Sequence, residues 1–230
     1  MRAVLWDMDG TLVDSEKLWD VAINELYSRH GRVLPPEVRD ATVGGSADGV
    51  IRIVFADLGL EPDPEHMAEV ADWMHDYVGE LFTTGLPWCP GAQELLDALL
   101  AAGGVPMALV TNTRRGGLTE NALNSIGRHY FFSVTVCGDE VPEGKPAPDV
   151  YLRAAELLGV SAEDCLAIED STTGTAAAEA AGCPVLVVPN EVEVPVSVRR
   201  RHVSSLAGLG IPQLRQIYTE LQLGLRERSA

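Results

Sequence analysis

Short apolar runs alternate with longer amphipathic stretches along most of the chain. Runs of strand length fall at Ala3–Trp6 and at residues 106–110, 133–136, 165–168 and 184–188. Apolar runs of this length suit strands buried on both faces. Segments of helical length separate them, at 91–102, 116–126, 148–158 and 172–181. Strands alternating with helices predict βαβ units and a parallel sheet. Right-handed crossovers then make a doubly wound, Rossmann-like α/β core the expected architecture. A closing helix is expected from Pro212 to about Leu225, and the basic run Arg199, Arg200, Arg201 reads as a solvated loop.

The alternation fails between Ser15 and Trp88, where the patterning is helical throughout. Leu18, Val21, Ala22, Glu25 and Leu26 form one stripe, and Val50, Ile53, Val54 and Leu58 a second. Met67, Val70, Ala71, Met74, Val78 and Leu81 form a third. Spacings of three and four place each set on one helical face. The expected organisation is therefore an α-helical bundle, residues 15–88, inserted into a core made of residues 1–14 and 89–230.

Composition narrows the class. The chain has 230 residues and a formal net charge of −17, which disfavours binding to a phosphate backbone. No apolar stretch approaches the roughly 20 residues that cross a bilayer, and the opening run meets Asp7 too early for a signal peptide. Cytoplasmic localisation, no nucleic-acid or membrane partner and a monomeric state are expected. Cys89, Cys137, Cys165 and Cys183 lack Cys-x-x-Cys spacing and read as small buried hydrophobes rather than zinc ligands. Basic residues are nearly all arginine: Lys17 and Lys145 are the two lysines in the sequence. A lysine retained at Lys145 thus draws a chemical question.

In an open parallel sheet, ligands bind beyond the carboxyl ends of the strands. The polar residues at those ends are Asp7, Asp9 and Thr11, then Thr111 and Asn112, then Glu169 and Asp170, with Lys145 in a loop ahead of a helix. Several carboxylates gathered on one rim repel one another, and a hard cation with oxygen ligands relieves that repulsion. Magnesium suits a site of few carboxylates that also takes a phosphate oxygen. Asp7 and Asp9, two apart on an extended strand exit, point the same way, so that one can act as nucleophile while the other moves protons. Thr111 and Asn112 can donate to phosphoryl oxygens, and Lys145 adds a compact positive charge. The chemistry described is phosphoryl transfer through an aspartyl-phosphate.

These residues reach a family. Asp7-Met8-Asp9-Gly10-Thr11-Leu12, Thr111-Asn112, Lys145-Pro146 and Glu169-Asp170-Ser171 with Gly174 resemble the four motifs of the haloacid dehalogenase-like hydrolases. The resemblance runs from the first strand to about Pro189, with the helical insert similar to the cap of the β-phosphoglucomutase-like branch. It implies Asp7 as nucleophile and Asp9 as general acid and base. It implies magnesium held by the Asp7 carboxylate, the Asp9 backbone carbonyl and Asp170, with Glu169 close by or acting through water. Thr111, the Asn112 backbone and Lys145 would hold the phosphate, and a mobile cap is implied.

The resemblance also separates activities. Asp9 argues against dehalogenase chemistry, and no cap lysine stands where phosphonate-cleaving members form a Schiff base. Sugar phosphomutases of the branch carry an arginine after Gly-x-Ser, where Gly44-Gly45-Ser46 is here followed by Ala47, and a histidine near the place of Trp19. Asp14-Ser15-Glu16-x-Leu18-Trp19 is instead similar to the start of the cap in small sugar- and polyol-phosphate phosphatases. Glu16, Trp19 and Gly45 are the cap residues expected to meet substrate. The expected activity is a magnesium-dependent phosphatase acting on a small phosphate ester, a sugar or polyol monophosphate. The alternatives are a sugar phosphomutase and a catalytically silent binding module on the same fold.

Overall fold

A computed structural model describes residues 1–42, 47–190 and 193–229. Among the described residues, one six-stranded sheet has the order β3-β2-β1-β4-β5-β6, with every pairing parallel. Its strands are β1 (Ala3–Trp6), β2 (Met107–Val110), β3 (Val134–Val136), β4 (Cys165–Glu169), β5 (Val185–Val187) and β6 (Arg200–His202). The chain grows outward from β1 through β2 to β3, then returns to the other side of β1 for β4, β5 and β6. The order reverses between β1 and β4, the point at which a doubly wound sheet opens a crevice for ligands. The Rossmann-like α/β architecture is as expected.

β1 lies between β2 and β4, with Leu5 opposite Ala108 on one side and Ala167 on the other. Its four residues are fully buried, which is why no polar residue interrupts the run. Ala3 and Leu5 join a core layer with Ala108, Val110, Cys165, Ala167 and Val185. Val150, Tyr151 and Ala154 of α8 (Asp149–Leu157) and Ala177 and Ala178 of α9 (Thr172–Ala180) belong to the same layer. The small side chains of α9 let its backbone lie close to the sheet.

The remaining helices are α1 (Glu16–Arg29), α2 (Pro36–Thr42), α3 (Ala47–Leu58), α4 (Pro64–Thr84), α5 (Ala92–Ala102), α6 (Gly117–Ile126), α7 (Arg128–Phe131) and α10 (Ile211–Ser229). None among the described residues is long and apolar enough to cross a membrane. The chain divides into two compact units. The sheet unit comprises Met1–Asp14, Pro87–Gly116 and Ile126–Ala230, and the helical unit Ser15–Leu86 and Gly117–Ser125. Within the helical unit α1 packs on α4, and α3 on both α2 and α4. The Arg39–Asp20 ion pair, 2.5 Å, fastens α2 to α1. Pro64 starts α4 behind the Asp63 cap, whose side chain accepts from the His66 amide.

Some expectations need correction. The run 199–201 is not a loop: Arg200–His202 form the edge strand β6, with Leu186 opposite Arg201. Its polar side chains hid it, because an edge strand buries its backbone pairing on one side while charged groups remain wet. Val21, assigned to the inner stripe of α1, is 43% exposed, and Ile23 and Tyr27 are buried with Ala22 and Leu26 instead. Most of α6 groups with the helical unit rather than the sheet, with the Asn121 amide donating to the Gly79 carbonyl at 3.1 Å. The four cysteines are buried free thiols.

Candidate active site

Where β1 ends, the Asp7 amide still donates to the Ile168 carbonyl at 3.0 Å, so the nucleophile candidate sits on the last rung of the ladder. The chain then turns tightly: the Leu12 and Val13 amides both donate to the Met8 carbonyl, and Gly10 takes φ +81°. Gly10 answers two demands. Its backbone conformation is one that side chains resist, and a Cβ would stand 1.9 Å from Asp170 Oδ2. The glycine is what allows the carboxylate at the end of β4 to lie against the loop at the end of β1.

Lys145 connects these strand ends. Its Nζ donates to Asp7 Oδ1 at 2.5 Å, to Glu169 Oε1 at 2.7 Å and to the Val110 carbonyl at 3.2 Å. The lysine side chain is 4% exposed and that of Glu169 0%. Burial alone would lower the ammonium, but the Asp7 and Glu169 carboxylates outweigh it and hold Lys145 above its ordinary value. The protonated lysine is therefore the state that the geometry supports. Its loop is set by Asn112, whose Oδ1 accepts from the Lys145 amide at 2.8 Å. Gly144 leaves the room for this, since a Cβ there would come within 2.3 Å of the same oxygen.

Asp9 is held from the end of β2. Its Oδ2 accepts from Thr113 Oγ1 at 3.0 Å and from Thr111 Oγ1 at 3.3 Å, and Thr111 Oγ1 in turn accepts from the Thr113 amide. The two candidate aspartates thus have separate partners, lysine for Asp7 and hydroxyls for Asp9.

Asp7, Glu169 and Asp170 offer carboxylate oxygens that lie within 4.8 Å of one another. Asp7 Oδ2 is buried with no hydrogen-bond partner. Burial, then the charge of Glu169, push Asp7 well above the ordinary carboxylate range against the pull of Lys145. Burial and Glu169 likewise raise Asp170 to about 7. Three close carboxylates exceed the one ammonium among them, and that surplus is what a divalent cation would relieve. An oxygen-only donor set fits magnesium, a hard cation, and does not resemble a thiolate or imidazole site.

Asp7, Asp9, Thr111, Asn112, Lys145, Glu169 and Asp170 thus come together in the sheet unit. Glu16 and Trp19 belong to the helical unit. There they line a pocket of about 160 Å³ with Asp20, Thr42, Met74 and His75, and the Trp19 and His75 rings meet edge to face at 5.2 Å. Gly45 lies outside the described residues. Two polar residues of the sheet-unit site escaped the sequence reading. Thr113 stands two places beyond Thr111 and was visible only as a second hydroxyl after the strand. Tyr151, whose hydroxyl donates to Glu169 Oε1 at 2.7 Å, reads in sequence as one more apolar position of α8.

Known proteins resemble the chain in sequence and fold. The family profile described as haloacid dehalogenase-like hydrolase matches residues 1–182. Protein CbbY of Rhodobacter capsulatus is 33% identical over 197 residues, spanning 83% of this chain and 86% of the relative. Hexitol phosphatase A of Escherichia coli is 34% identical over 195 residues, 84% and 86% of the two chains. Among solved structures, CbbY from Rhodobacter sphaeroides in complex with phosphate superposes with a TM-score of 0.76 at 28% identity, covering 94% of this chain and 99% of that one.

Proposed function

The chain belongs to the haloacid dehalogenase-like hydrolases and is a phosphoric monoester hydrolase; from that premise, we propose that it hydrolyses the monophosphate of a small sugar or polyol, with Asp7 as nucleophile and magnesium as cofactor. One observation carries the assignment. Asp7 presents a buried, unpartnered Oδ2 while Lys145 fixes its other oxygen at 2.5 Å. A carboxylate so divided keeps one free lone-pair face for attack and one oxygen anchored.

In this reading Asp7 Oδ2 forms a bond to phosphorus as the ester oxygen leaves, and protonated Asp9 gives that oxygen its proton. Water then attacks the phosphorus of the acyl phosphate, Asp9 takes up the water's proton, and phosphate and the Asp7 carboxylate are released. Thr113 keeps Asp9 oriented for both transfers. Lys145, Thr111 and the Asn112 backbone hold the phosphoryl oxygens. Asp7, Asp170 and the Asp9 backbone carbonyl would hold magnesium, with Glu169 beside them. Bound there, the ion would offset the carboxylate charge and polarise a phosphoryl oxygen.

The sugar or polyol class is supported by the likeness to a hexitol phosphatase and by Glu16 and Trp19, which we propose select the organic part of the substrate. They line a pocket that mixes carboxylate, hydroxyl and imidazole groups with Ile23, Val50, Ile51 and Met74, a lining suited to hydroxyls on a short carbon chain. The test is turnover of p-nitrophenyl phosphate with magnesium, followed by a panel of sugar and polyol monophosphates ranked by kcat/KM. The reading expects release of phosphate, abolished in Asp7→Asn. Retained turnover in Asp7→Asn would remove Asp7 as nucleophile, and isomer formation from a hexose 1-phosphate would favour the phosphomutase.

A further inference from the structure

Glu169 is surrounded by more donors than a carboxylate ordinarily satisfies. Its Oε1 accepts from Lys145 Nζ and from the Tyr151 hydroxyl, each at 2.7 Å. Its Oε2 accepts from the Ser171 hydroxyl at 3.1 Å, the Asp170 amide at 3.2 Å and the Ser171 amide at 3.3 Å. Five donors meet about four lone-pair sites. The carboxylate fills the space that Gly174 leaves, since a Cβ there would lie 1.8 Å from Oε1. The other two acids of the cluster differ: Asp7 keeps one buried oxygen without a partner, and the Asp170 carboxylate is met by a hydrogen bond from its own backbone.

Tyr151 is the part of this shell that comes from the body of a helix. It is fully buried, three places into α8, with Val150 and Ala154 in the layer under the sheet. Its ring lies 5.3 Å from Lys145 Nζ. A core phenol needs one acceptor, and a backbone carbonyl would serve. Here the acceptor is the counter-ion of the site lysine, which connects α8 through Glu169 and Lys145 to Asp7.

We propose that Tyr151 is a positioning residue: its hydroxyl, with the Ser171 group and the Asp170 amide, uses up the acceptor capacity of Glu169. Glu169 thereby becomes the fixed counter-ion of Lys145, and direct cation ligation falls to Asp7 and Asp170. This rests on the phosphatase reading above. Without the phenol, Glu169 Oε1 holds Lys145 alone, and the lysine can be drawn toward Glu169 and away from Asp7. The consequence falls on the rate of phosphoryl transfer more than on substrate capture.

The experiment is a double-mutant cycle of Tyr151→Phe and Glu169→Gln, scored by kcat and KM on p-nitrophenyl phosphate at saturating magnesium. Calorimetric titration of Mg²⁺ into each variant and into Asp170→Asn accompanies it. Tyr151→Phe keeps the ring, so kcat is expected to fall about 5- to 10-fold with KM changed less than about twofold. In the Glu169→Gln background the same change is expected to add almost nothing, because the pathway is already cut. A general packing defect would lower both backgrounds alike. Mg²⁺ affinity is expected to hold within a few-fold in Tyr151→Phe and Glu169→Gln, and to fall at least tenfold in Asp170→Asn. An unchanged kcat in Tyr151→Phe, or equal losses in both backgrounds, overturns the proposal. So does a loss of Mg²⁺ affinity in Glu169→Gln as large as that in Asp170→Asn, which reads the assignment even if the wild type turns over no ester. A wild type without turnover but with the expected Mg²⁺ pattern supports the ligand assignment and counts against the phosphatase reading instead.

Discussion

Thr113 holds Asp9 with a shorter hydrogen bond than Thr111 does, 3.0 against 3.3 Å, although only Thr111 belongs to a motif. Thr113→Val keeps the shape and removes the donor, so kcat should fall roughly 3- to 10-fold with little change in KM, as expected when an acid–base group loses orientation rather than identity. Steady-state kinetics on p-nitrophenyl phosphate read this directly. Lys145 carries more: Lys145→Ala removes both the anchor of Asp7 and a positive charge at the phosphate, and kcat/KM should drop on the order of 10²- to 10³-fold. The lysine was legible in sequence because lysine is rare in this chain. Asp7, Asp9 and Asp170 were legible because they stand within three places of the end of an apolar run. Thr113 and Tyr151 were not. Their meaning lies in a partner about a hundred or eighteen positions away, and neither residue type is unusual where it stands.

At the scale of elements, α9 shows how a helix start and a site are made by the same residues. Ser171 caps the helix by accepting from the Gly174 amide at 3.0 Å, while its own amide and hydroxyl hold Glu169. Gly174→Ala drives a methyl into that carboxylate. It should destabilise the fold by about 1–3 kcal/mol and lower kcat together with it, as a melting curve and an activity assay on one preparation would show. At the far edge of the sheet, β6 is secured by Arg200, which pairs with Glu179 of α9 at 2.8 Å, and by Ser197, which donates to the same carboxylate at 2.6 Å. Glu179→Ala should lower stability by about 1–3 kcal/mol, the range for lost hydrogen bonds to a charged group, without changing kcat. Hydrophobic patterning revealed the four interior strands, because burial on both faces writes itself as an apolar run, and with them the edge strand β3. It missed β6, whose order comes from backbone pairing and from the ion pairs of Arg200 with Glu179 and of Arg201 with Glu220. It also misplaced Val21, since a helical stripe read at spacings of three and four does not say where the buried face ends.

For the whole molecule, the surplus of acid has two parts. Most of the net charge of −17 is spread over the sequence, whereas Asp7, Glu169 and Asp170 are concentrated beside one lysine. Asp170, raised to about 7 by burial and by Glu169, is protonated in the folded, metal-free protein at pH values where the unfolded chain has already released that proton. The metal-free fold therefore loses stability as pH rises toward 7. Magnesium displaces the proton, so the gain in Tm on adding Mg²⁺ should be larger at pH 8 than at pH 6, and proton release should accompany binding. Differential scanning fluorimetry at the two pH values checks the sign. In the proposed reaction Asp7 carries the phosphoryl group between substrate and water. The measurement that meets it most directly is acid quenching of the wild-type protein within the first turnover of a phosphate ester, followed by peptide mapping of the covalent adduct. One phosphoryl group is expected on the peptide containing Asp7, absent from Asp7→Asn. Consumption of substrate with no phosphoryl group on that peptide, or with the adduct on another residue, would contradict it.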